Sequence, residues 1–499
     1  MATETNLTLS EELKFRGFMA ETTVKDPRSL DTRADKQFYW GADPSADSLT
    51  IGNLAALLMC ACFVKHGYKP YLLVGGATGQ IGDPKENGER DLKPLEEIEH
   101  NKKCIKTQIE RVMRNYLELC QAGEGKTFFS DVLPANEKMY IPDGPDGFAR
   151  RAVPPAVQCM AARRSERNQK ASFLVSEQGG VEGRRPTFSS ETGAEKKVFA
   201  SPATELVMVD NYDWFKEIKF LDFLRTVGKA FSMTQLLDRK FIQNRIGEGG
   251  SGISYAEFSY TLIQGYDFYH LYREYGVSLQ LCGADQFGNC SSGIHLIKRL
   301  ENAEADVWST PLVIDPASGR KFGKSEGNAI WLASEGPNST TVFDFYQFWL
   351  NQPDDSVEYL MKFYTIYSPD EIENILEEHR KSPEKRLAGK ALAKSVTELV
   401  HGREKAAAAI RATEKLFDKS YRPTPEDAED FAGVFPTFER GNVLEVLADS
   451  GLAASKSDAR KLVKAGAISL NGEKITDDTA ELKTAGILKK GKNKFIIIK

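Results

Sequence analysis

The sequence has little with which to cross a membrane, clasp a structural metal or build a disulfide framework. Its longest apolar stretch, Leu54 to Val64, is broken by small residues and falls well short of the about twenty residues that a bilayer requires. The N-terminal stretch carries Glu4, Glu11, Glu12, Glu21 and Asp26. It has neither the apolar core of a signal peptide nor the acid-poor, Arg-rich bias of a transit peptide, so a cytoplasmic protein is expected. The seven cysteines, at positions 60, 62, 104, 120, 159, 282 and 290, are scattered, odd in number and free of any Cys-x-x-Cys pair. Buried free thiols are the expectation, with neither zinc nor disulfides.

What is present is an ordinary globular composition, 41% hydrophobic and 27% charged, over a length of 499 residues that calls for two to four domains. The net charge of −5 conceals a basic tail: Ser455 to Lys499 holds eleven Lys and Arg against five Asp and Glu, so this tail carries +6 and the remainder −11. A second basic stretch, Ala149 to Pro202, has ten basic and five acidic residues, with the pairs Arg150-Arg151, Arg163-Arg164 and Arg184-Arg185. Such blocks are solvated surface or phosphate contacts.

Residues 37 to 120 read as an α/β unit: a strand at Gln37 to Gly41, a turn, a helix from about Leu49 to His66, and a strand at Pro70 to Val74. The glycine-rich stretch Gly75 to Pro84 runs off that strand, where open parallel sheets place their ligands. Helices then occupy roughly Pro94 to Cys120. Between Gly123 and Thr204 the periodicity fades, as in an insertion with little core of its own. Alternation returns at Val207 to Tyr212, followed by helices near Phe215 to Gln243 and Tyr255 to Tyr275 and a strand at Ser278 to Cys282. Beyond Ala333 the pattern turns helical, with amphipathic segments at Thr341 to Trp349, Ser356 to Phe363, Pro369 to Arg380 and Pro383 to Val400. A polar stretch, Asp418 to Arg440, reads as a linker.

In the last unit a short helix, Asn442 to Asp449, precedes a second that Ser457 is expected to cap. Arg460, Lys461 and Lys464 share a face of that second helix, and Asn471-Gly472 marks a type I′ hairpin. The arrangement resembles the RNA-binding module named after a small-subunit ribosomal protein, which implies RNA contact by those three cations.

Two further segments carry chemistry. Pro44 to Leu54 places a turn and a helix N-terminus just after a strand, where free backbone N–H groups suit a phosphate and Gly52 permits close approach of a base. Lys321-Phe322-Gly323-Lys324-Ser325 is a short loop with two lysines three apart, suited to closing over a departing pyrophosphate. Together these resemble the paired signatures of class I aminoacyl-tRNA synthetases. The segments Asn211 to Trp214, Glu257 to Phe268, Gln280 to Asn289 and Phe345 to Trp349 narrow the likeness to the bacterial-type tyrosyl-tRNA synthetase family. The resemblance spans Glu11 to Cys120, Val207 to Phe417 and the C-terminal module.

The resemblance implies a Rossmann-like, doubly wound parallel-sheet catalytic domain over residues 1–338, with an insertion at about 124–203. An all-helical anticodon-binding domain at 339–418, a linker at 419–439 and a small α+β RNA-binding domain at 440–499 would follow. It implies activation of L-tyrosine by ATP to tyrosyl-adenylate and transfer to the 3′-terminal adenosine of tRNA(Tyr). Mg²⁺ would arrive with the nucleotide, with no protein-bound metal, and the enzyme would be a homodimer. The arginine pairs of the insertion would touch the tRNA acceptor arm or flank the subunit interface.

Tyr260, Gln264 and Asp267 follow an i, i+4, i+7 spacing, so one helical face presents a phenol, an amide and a carboxylate. By resemblance Tyr260, Gln264 and Asp83 bind the tyrosine ammonium, Tyr39 and Asp267 bind the substrate hydroxyl, and Gln280 lies beside them. Gly283 and Asp285 would meet the ribose, Gln286 the reacting carboxylate and α-phosphate, and Gly41, Asp43, Gly52 and Lys324 the ATP. Thr50, Asn53, Gln286, Lys321, Lys324 and Ser325 would serve catalysis. None of the six histidines lies in either signature. A carboxylate attacking a phosphate is already ionised at neutral pH and needs no protein base. The chain departs from the family pattern in Thr50 and Asn53, where histidines are usual, in Trp40, where a small residue is usual, and in Lys85 to Gly88. Two alternatives stay open: a tryptophanyl-type synthetase, and a weakened synthetase serving as an RNA-binding protein.

Overall fold

The computed structural model describes residues 7–84, 88, 91–122, 205–237, 240–247, 249–314, 319, 329–418, 420–491 and 494–499. The insertion and the two-lysine loop lie outside these. Five strands form the first sheet: β1 (Gln37–Ala42), β2 (Lys69–Val74), β3 (Val207–Val209), β4 (Leu279–Gly283) and β5 (Asp306–Thr310). Their order is β3-β2-β1-β4-β5, and every neighbouring pair is parallel. The chain lays strands outward on one side of β1 and then returns to build on the other, so the order reverses between β1 and β4. In β2 every residue from Pro70 to Val74 is buried, as a parallel sheet covered on both faces demands.

Helix α1 (Leu9–Arg16) precedes the sheet, and α2 (Ile51–Lys65), α3 (Thr78–Ile81) and α4 (Leu95–Ala122) follow its first strands. The longest apolar run forms most of α2, which is buried from Leu54 through Val64 and is therefore apolar all round. No helix among the described residues is long and apolar enough to cross a membrane. The helix expected near Phe215 to Gln243 is instead four short pieces, Tyr212–Phe215, Phe220–Thr226, Met233–Leu237 and Lys240–Ile246. An extended Lys219 and a 3₁₀ turn at Gly228–Ala230 interrupt it.

Helix α5 (Tyr255–Tyr275) begins at Ser254, whose side chain accepts the Glu257 N–H, and ends at Gly276 in the left-handed conformation. It packs closely on α6 (Phe287–Glu301), because a Cβ on Gly293 would lie only 2.7 Å from Phe268. That close approach fixes the face of α5 that looks toward β1 and β4.

Five helices follow: α7 (Val342–Leu350), α8 (Asp354–Tyr364), α9 (Pro369–Lys381), α10 (Leu387–His401) and α11 (Arg403–Phe417). The stretch read as a linker is packed. Asp427–Asp430 is a short helix, Phe431 and Val434 are buried, and Phe435 meets Phe343 and Phe495 at ring-centroid distances of 4.8 and 5.6 Å. The polar composition of that stretch hid these aromatic anchors.

The second sheet has β6 (Thr437–Phe438), β7 (Ile468–Leu470), β8 (Glu473–Lys474), β9 (Gly486–Lys490) and β10 (Lys494–Ile498), in the order β6-β10-β9-β7-β8. Helices α12 (Val443–Asp449) and α13 (Lys456–Lys464) pack with it. The cap of α13 is Ser455, not Ser457: Ser455 is fully extended and its side chain accepts the Asp458 N–H, whereas Ser457 already lies in the first turn. Asn471 and Gly472 adopt φ of 50° and 85°, as a type I′ turn between β7 and β8 requires.

One buried ionic cluster joins the first helix to the helical region. Glu12 accepts from Arg16 Nε at 2.8 Å, Lys65 Nζ at 2.9 Å and pairs with His66 Nε2 at 2.8 Å. Arg16 also donates through Nη1 to the Thr365 carbonyl at 2.6 Å and to that of Lys362 at 3.2 Å. Burial pushes the Glu12 carboxyl up, but Arg16, His66 and Lys65 outweigh it and hold the group well below the usual carboxylate range. The carboxylate form therefore stabilises the fold above the ordinary carboxyl pKa, and that contribution is lost as pH falls through the depressed folded value. Glu12→Gln leaves the Arg16 charge buried without its partner and should cost about 3 kcal/mol in urea unfolding at pH 7. The deficit relative to wild type should shrink in acid.

Candidate active site

The carboxyl ends of β1, β2 and β4 meet where the strand order reverses, the usual place for a ligand in such sheets. A cleft of about 800 Å³ opens there. Its walls bring together Tyr39, Trp40, Gly41 and Asp43 at the end of β1, Thr50, Gly52 and Asn53 at the start of α2, and Asp83 after α3. Tyr260, Gln264 and Asp267 of α5 join them, with Gln280, Gly283, Asp285 and Gln286 from β4 and the turn after it. Lys321, Lys324 and Ser325 lie outside the described residues.

At the floor of the cleft Asp267 is only 1% exposed. Its Oδ2 accepts from Asn211 Nδ2 and its Oδ1 from Trp214 Nε1, both at 3.0 Å. Burial pushes the Asp267 pKa well above the carboxylate range, while the two neutral donors pull the other way. The Tyr39 phenol is buried nearby, and burial raises its pKa also. Asn211 Nδ2 reaches Thr78 Oγ1 at 3.0 Å, and its Oδ1 accepts the Ala77 N–H at 2.7 Å. One fully buried amide thus links the glycine-rich turn to α5. Sequence reasoning gave Asn211 and Trp214 no individual role. The available signal was the spacing of two N–H donors three residues apart at the opening of a short helix.

Toward the mouth, Tyr260 Oη donates to Asp43 Oδ2 at 2.7 Å and Thr78 Oγ1 to Asp43 Oδ1 at 2.6 Å. Asp43 therefore anchors the Tyr260 ring with one oxygen and α3 with the other. Asp83 accepts from Gln286 Nε2 at 2.9 Å and from Asn289 Nδ2 at 3.1 Å, so Asn289 is a further site residue that the sequence reading left without a role. The Oε1 atoms of Gln264 and Gln280 are buried without a hydrogen-bond partner among the described residues, and both side chains line the cleft. Behind the turn, a Cβ on Gly76 would lie 2.3 Å from Asp210 Oδ1, which accepts the Gly76 N–H at 3.1 Å. Only glycine allows that contact.

At the start of α2, Asn53 Oδ1 accepts from both the Thr50 N–H and the Thr50 hydroxyl at 3.0 Å. The Ile51 N–H donates to the Ile330 carbonyl at 3.0 Å, and the Leu332 N–H to the Leu49 carbonyl at 2.8 Å. The segment just beyond residue 328 is thereby joined to the helix start. Trp40 is buried in the cleft wall. On α13, Arg460 and Lys464 pair with Asp478 at 2.9 and 3.6 Å, and Lys461 is exposed.

A nucleotide-sized cleft at the order reversal of a parallel sheet, followed by a helical region and a small mixed-sheet module, makes up a class I aminoacyl-tRNA synthetase. The family model for class I tRNA synthetases (W and Y) matches residues 32–123 and 158–418. That for the tyrosine–tRNA ligase SYY-like C-terminal domain matches 428–499. The tyrosine–tRNA ligase of Streptococcus thermophilus is 34% identical, covering 99% of this chain and 100% of that protein. That of Streptococcus mutans is 33% identical, with the same coverage. The chain belongs to the tyrosine–tRNA ligase family. In fold it is similar to a C-terminally truncated mitochondrial tyrosyl-tRNA synthetase from Aspergillus nidulans, at TM-score 0.60 and 23% identity over 83% of this chain and 95% of that one.

The raised Asp267 pKa has a consequence for stability. The folded state binds that proton more tightly than the unfolded chain, so the contribution is full below the ordinary carboxyl pKa and is lost as pH rises toward the folded value. Urea midpoints of wild type measured against Asp267→Asn should therefore move against wild type with rising pH.

Proposed function

We propose that the chain activates L-tyrosine by attack of its carboxylate on the ATP α-phosphate, releasing pyrophosphate, and then passes the tyrosyl group to the 3′-terminal adenosine of tRNA(Tyr). The observation that carries this reading is the buried Asp267 carboxylate beside the Tyr39 phenol, at the closed end of the cleft. Its protein partners are neutral N–H donors, which suits a further neutral donor such as a substrate phenol.

The substrate ammonium would then face Tyr260, Gln264 and Asp83, one end of each lining the cleft. The Oε1 of Gln264 is an acceptor well placed to receive it. Gln280 supports the same end, and Gln286, held by Asp83 and Asn289, is set beside the reacting carboxylate. Gly41, Gly52, Gly283 and Asp285 would leave room for and bind the nucleoside, and Asp43 would support that wall through Tyr260. Catalysis would come from positioning and charge stabilisation, with Lys321, Lys324 and Ser325 closing on the pyrophosphate.

Both Asp43 and Asp83 already accept hydrogen bonds from protein donors, which fits Mg²⁺ brought by ATP and not held by a protein cage. There it would neutralise phosphate charge. Residues 1–338 would form the catalytic part, 339–418 the anticodon-binding part and 440–499 the RNA-binding part, with Arg460, Lys461 and Lys464 on RNA. A cytoplasmic homodimer fits the same reading. Phe220, Leu221, Met233 and Tyr255 are 63, 75, 58 and 64% exposed in one stretch of chain, an apolar display that suits burial against a second copy.

Tyrosine-dependent exchange of pyrophosphate into ATP tests the reading. Exchange should require tyrosine, whereas dependence on tryptophan, or no exchange with any amino acid, contradicts it. Lys324→Ala should lower the exchange rate by about a hundredfold and leave the equilibrium affinity for tyrosine unchanged.

A further inference from the structure

Two cysteines in the walls of the cleft take no part in the activation chemistry. Cys282 is the fourth residue of β4 and Cys290 lies in the first turn of α6, on either side of the turn that carries Asp285 and Gln286. Both line the cleft, at 5% and 1% exposure, and both are free thiols. They touch: the two thiols share a hydrogen bond, and Gln264 Nε2 donates to Cys290 Sγ at 3.7 Å. Gln264, Cys290 and Cys282 therefore form a short hydrogen-bonded chain along one wall, and the Tyr39 ring belongs to the same apolar cluster as the two cysteines.

We infer that Cys282 and Cys290 are an oxidation site inside the cleft, a dithiol that a hydroperoxide converts to an intramolecular disulfide, with loss of tyrosine affinity. Cys282 is the more exposed of the two, and burial pushes the Cys290 thiol well up, so Cys282 reacts first. With hydrogen peroxide, the Cys282 sulfur gives up its proton and attacks one oxygen. The S–O bond forms, the O–O bond breaks, and the departing hydroxide takes that proton and leaves as water. The Cys290 sulfur then attacks the sulfenic sulfur, the S–S bond forms and the S–O bond breaks, and the second hydroxide leaves as water with the Cys290 proton. Two thiols are oxidised by two electrons in all, and one peroxide is reduced to two waters.

The bond would act on the substrate through its neighbours. Cys290 Sγ holds the Nε2 end of Gln264, which leaves Oε1 as the atom offered to the substrate ammonium. Drawing the two sulfurs nearer than hydrogen-bond contact moves that sulfur away from Gln264 and pulls on Gly283 and Asp285, which follow Cys282 directly in the cleft wall. Cys60 of α2 is near enough to Cys282 for the two charges to interact, but it is fully buried and does not line the cleft, so it is not the partner. The consequence for activity rests on the activation reading above, whereas the formation of the bond does not.

The test treats wild type, Cys282→Ala, Cys290→Ala and Cys60→Ala with hydrogen peroxide, maps disulfides by peptide mass under non-reducing conditions, and measures tyrosine affinity at equilibrium and tyrosine-dependent ATP–pyrophosphate exchange. Before treatment all four should exchange alike. Treated wild type and Cys60→Ala should contain a Cys282–Cys290 disulfide and bind tyrosine about tenfold more weakly, and dithiothreitol should restore both. Saturating tyrosine present during treatment should slow the reaction by filling the cleft. Cys282→Ala and Cys290→Ala should form no disulfide at this place and keep their tyrosine affinity after brief treatment. The inference fails if both thiols of wild type stay reduced, if the mapped bond is Cys60–Cys282, or if the bond forms and tyrosine affinity is unchanged. It fails equally if the two cleft variants lose affinity as wild type does. Untreated wild type that does not exchange would contradict the activation reading alone, because mass mapping and tyrosine binding read the oxidation site without turnover.

Discussion

A buried carboxylate satisfied only by neutral donors is the constraint around which the catalytic part is arranged. Asp267 lies at the closed end of the cleft, and holding it there costs desolvation that Asn211 and Trp214 offset only in part. Those two donors require the short helix at Tyr212–Phe215 to stand beside α5. That helix must follow β3 at the edge of the sheet, and α5 must approach β1 through its close contact with α6 at Gly293. Asn211 in turn holds Thr78 and Ala77, so the turn after β2 is fixed by the same residue. The floor of the cleft is one connected hydrogen-bond network in a low-dielectric setting, where a missing partner is expensive.

The mouth of the cleft is organised differently. There the acids are held by tyrosine, threonine, asparagine and glutamine, and the start of α2 is braced by backbone bonds from Ile330 and Leu332. A floor closed around one buried carboxylate and a mouth joined to the segment beyond residue 328 give the two ends of the cleft different surroundings. The Glu12 and Arg16 cluster adds a third element, tying α1 and the end of α2 to the carbonyls beyond α8. The helical region is therefore fastened to the same helix whose other end lines the cleft.

Much of this was legible in the sequence because it depends on period and punctuation. The α/β alternation, the glycine-rich turn off β2 and the i, i+4, i+7 face of α5 all follow from spacing, and the structure brings that face to the cleft with Tyr39 and Asp83. The Asn471-Gly472 hairpin was equally plain. What was not legible depends on contacts between distant segments. Asn211 and Asp267 are 56 residues apart, and no local pattern announces that one will bond the other. The packing of 418–440 through Phe431 and Phe435 was masked by polar neighbours. The shift of the α13 cap from Ser457 to Ser455 turned on which of two equally suitable serines was extended. Thr50 and Asn53 could be seen as departures, but only coordinates show that they bond each other.

The central claim is that Asp267 chooses the substrate by accepting its phenolic hydroxyl. The most direct measurement is equilibrium binding of L-tyrosine and L-phenylalanine to wild type and to Asp267→Asn. The account predicts a strong preference for tyrosine in the wild type that largely disappears in the variant, chiefly through lost tyrosine affinity. A variant that still separates the two amino acids as well as wild type does would contradict it.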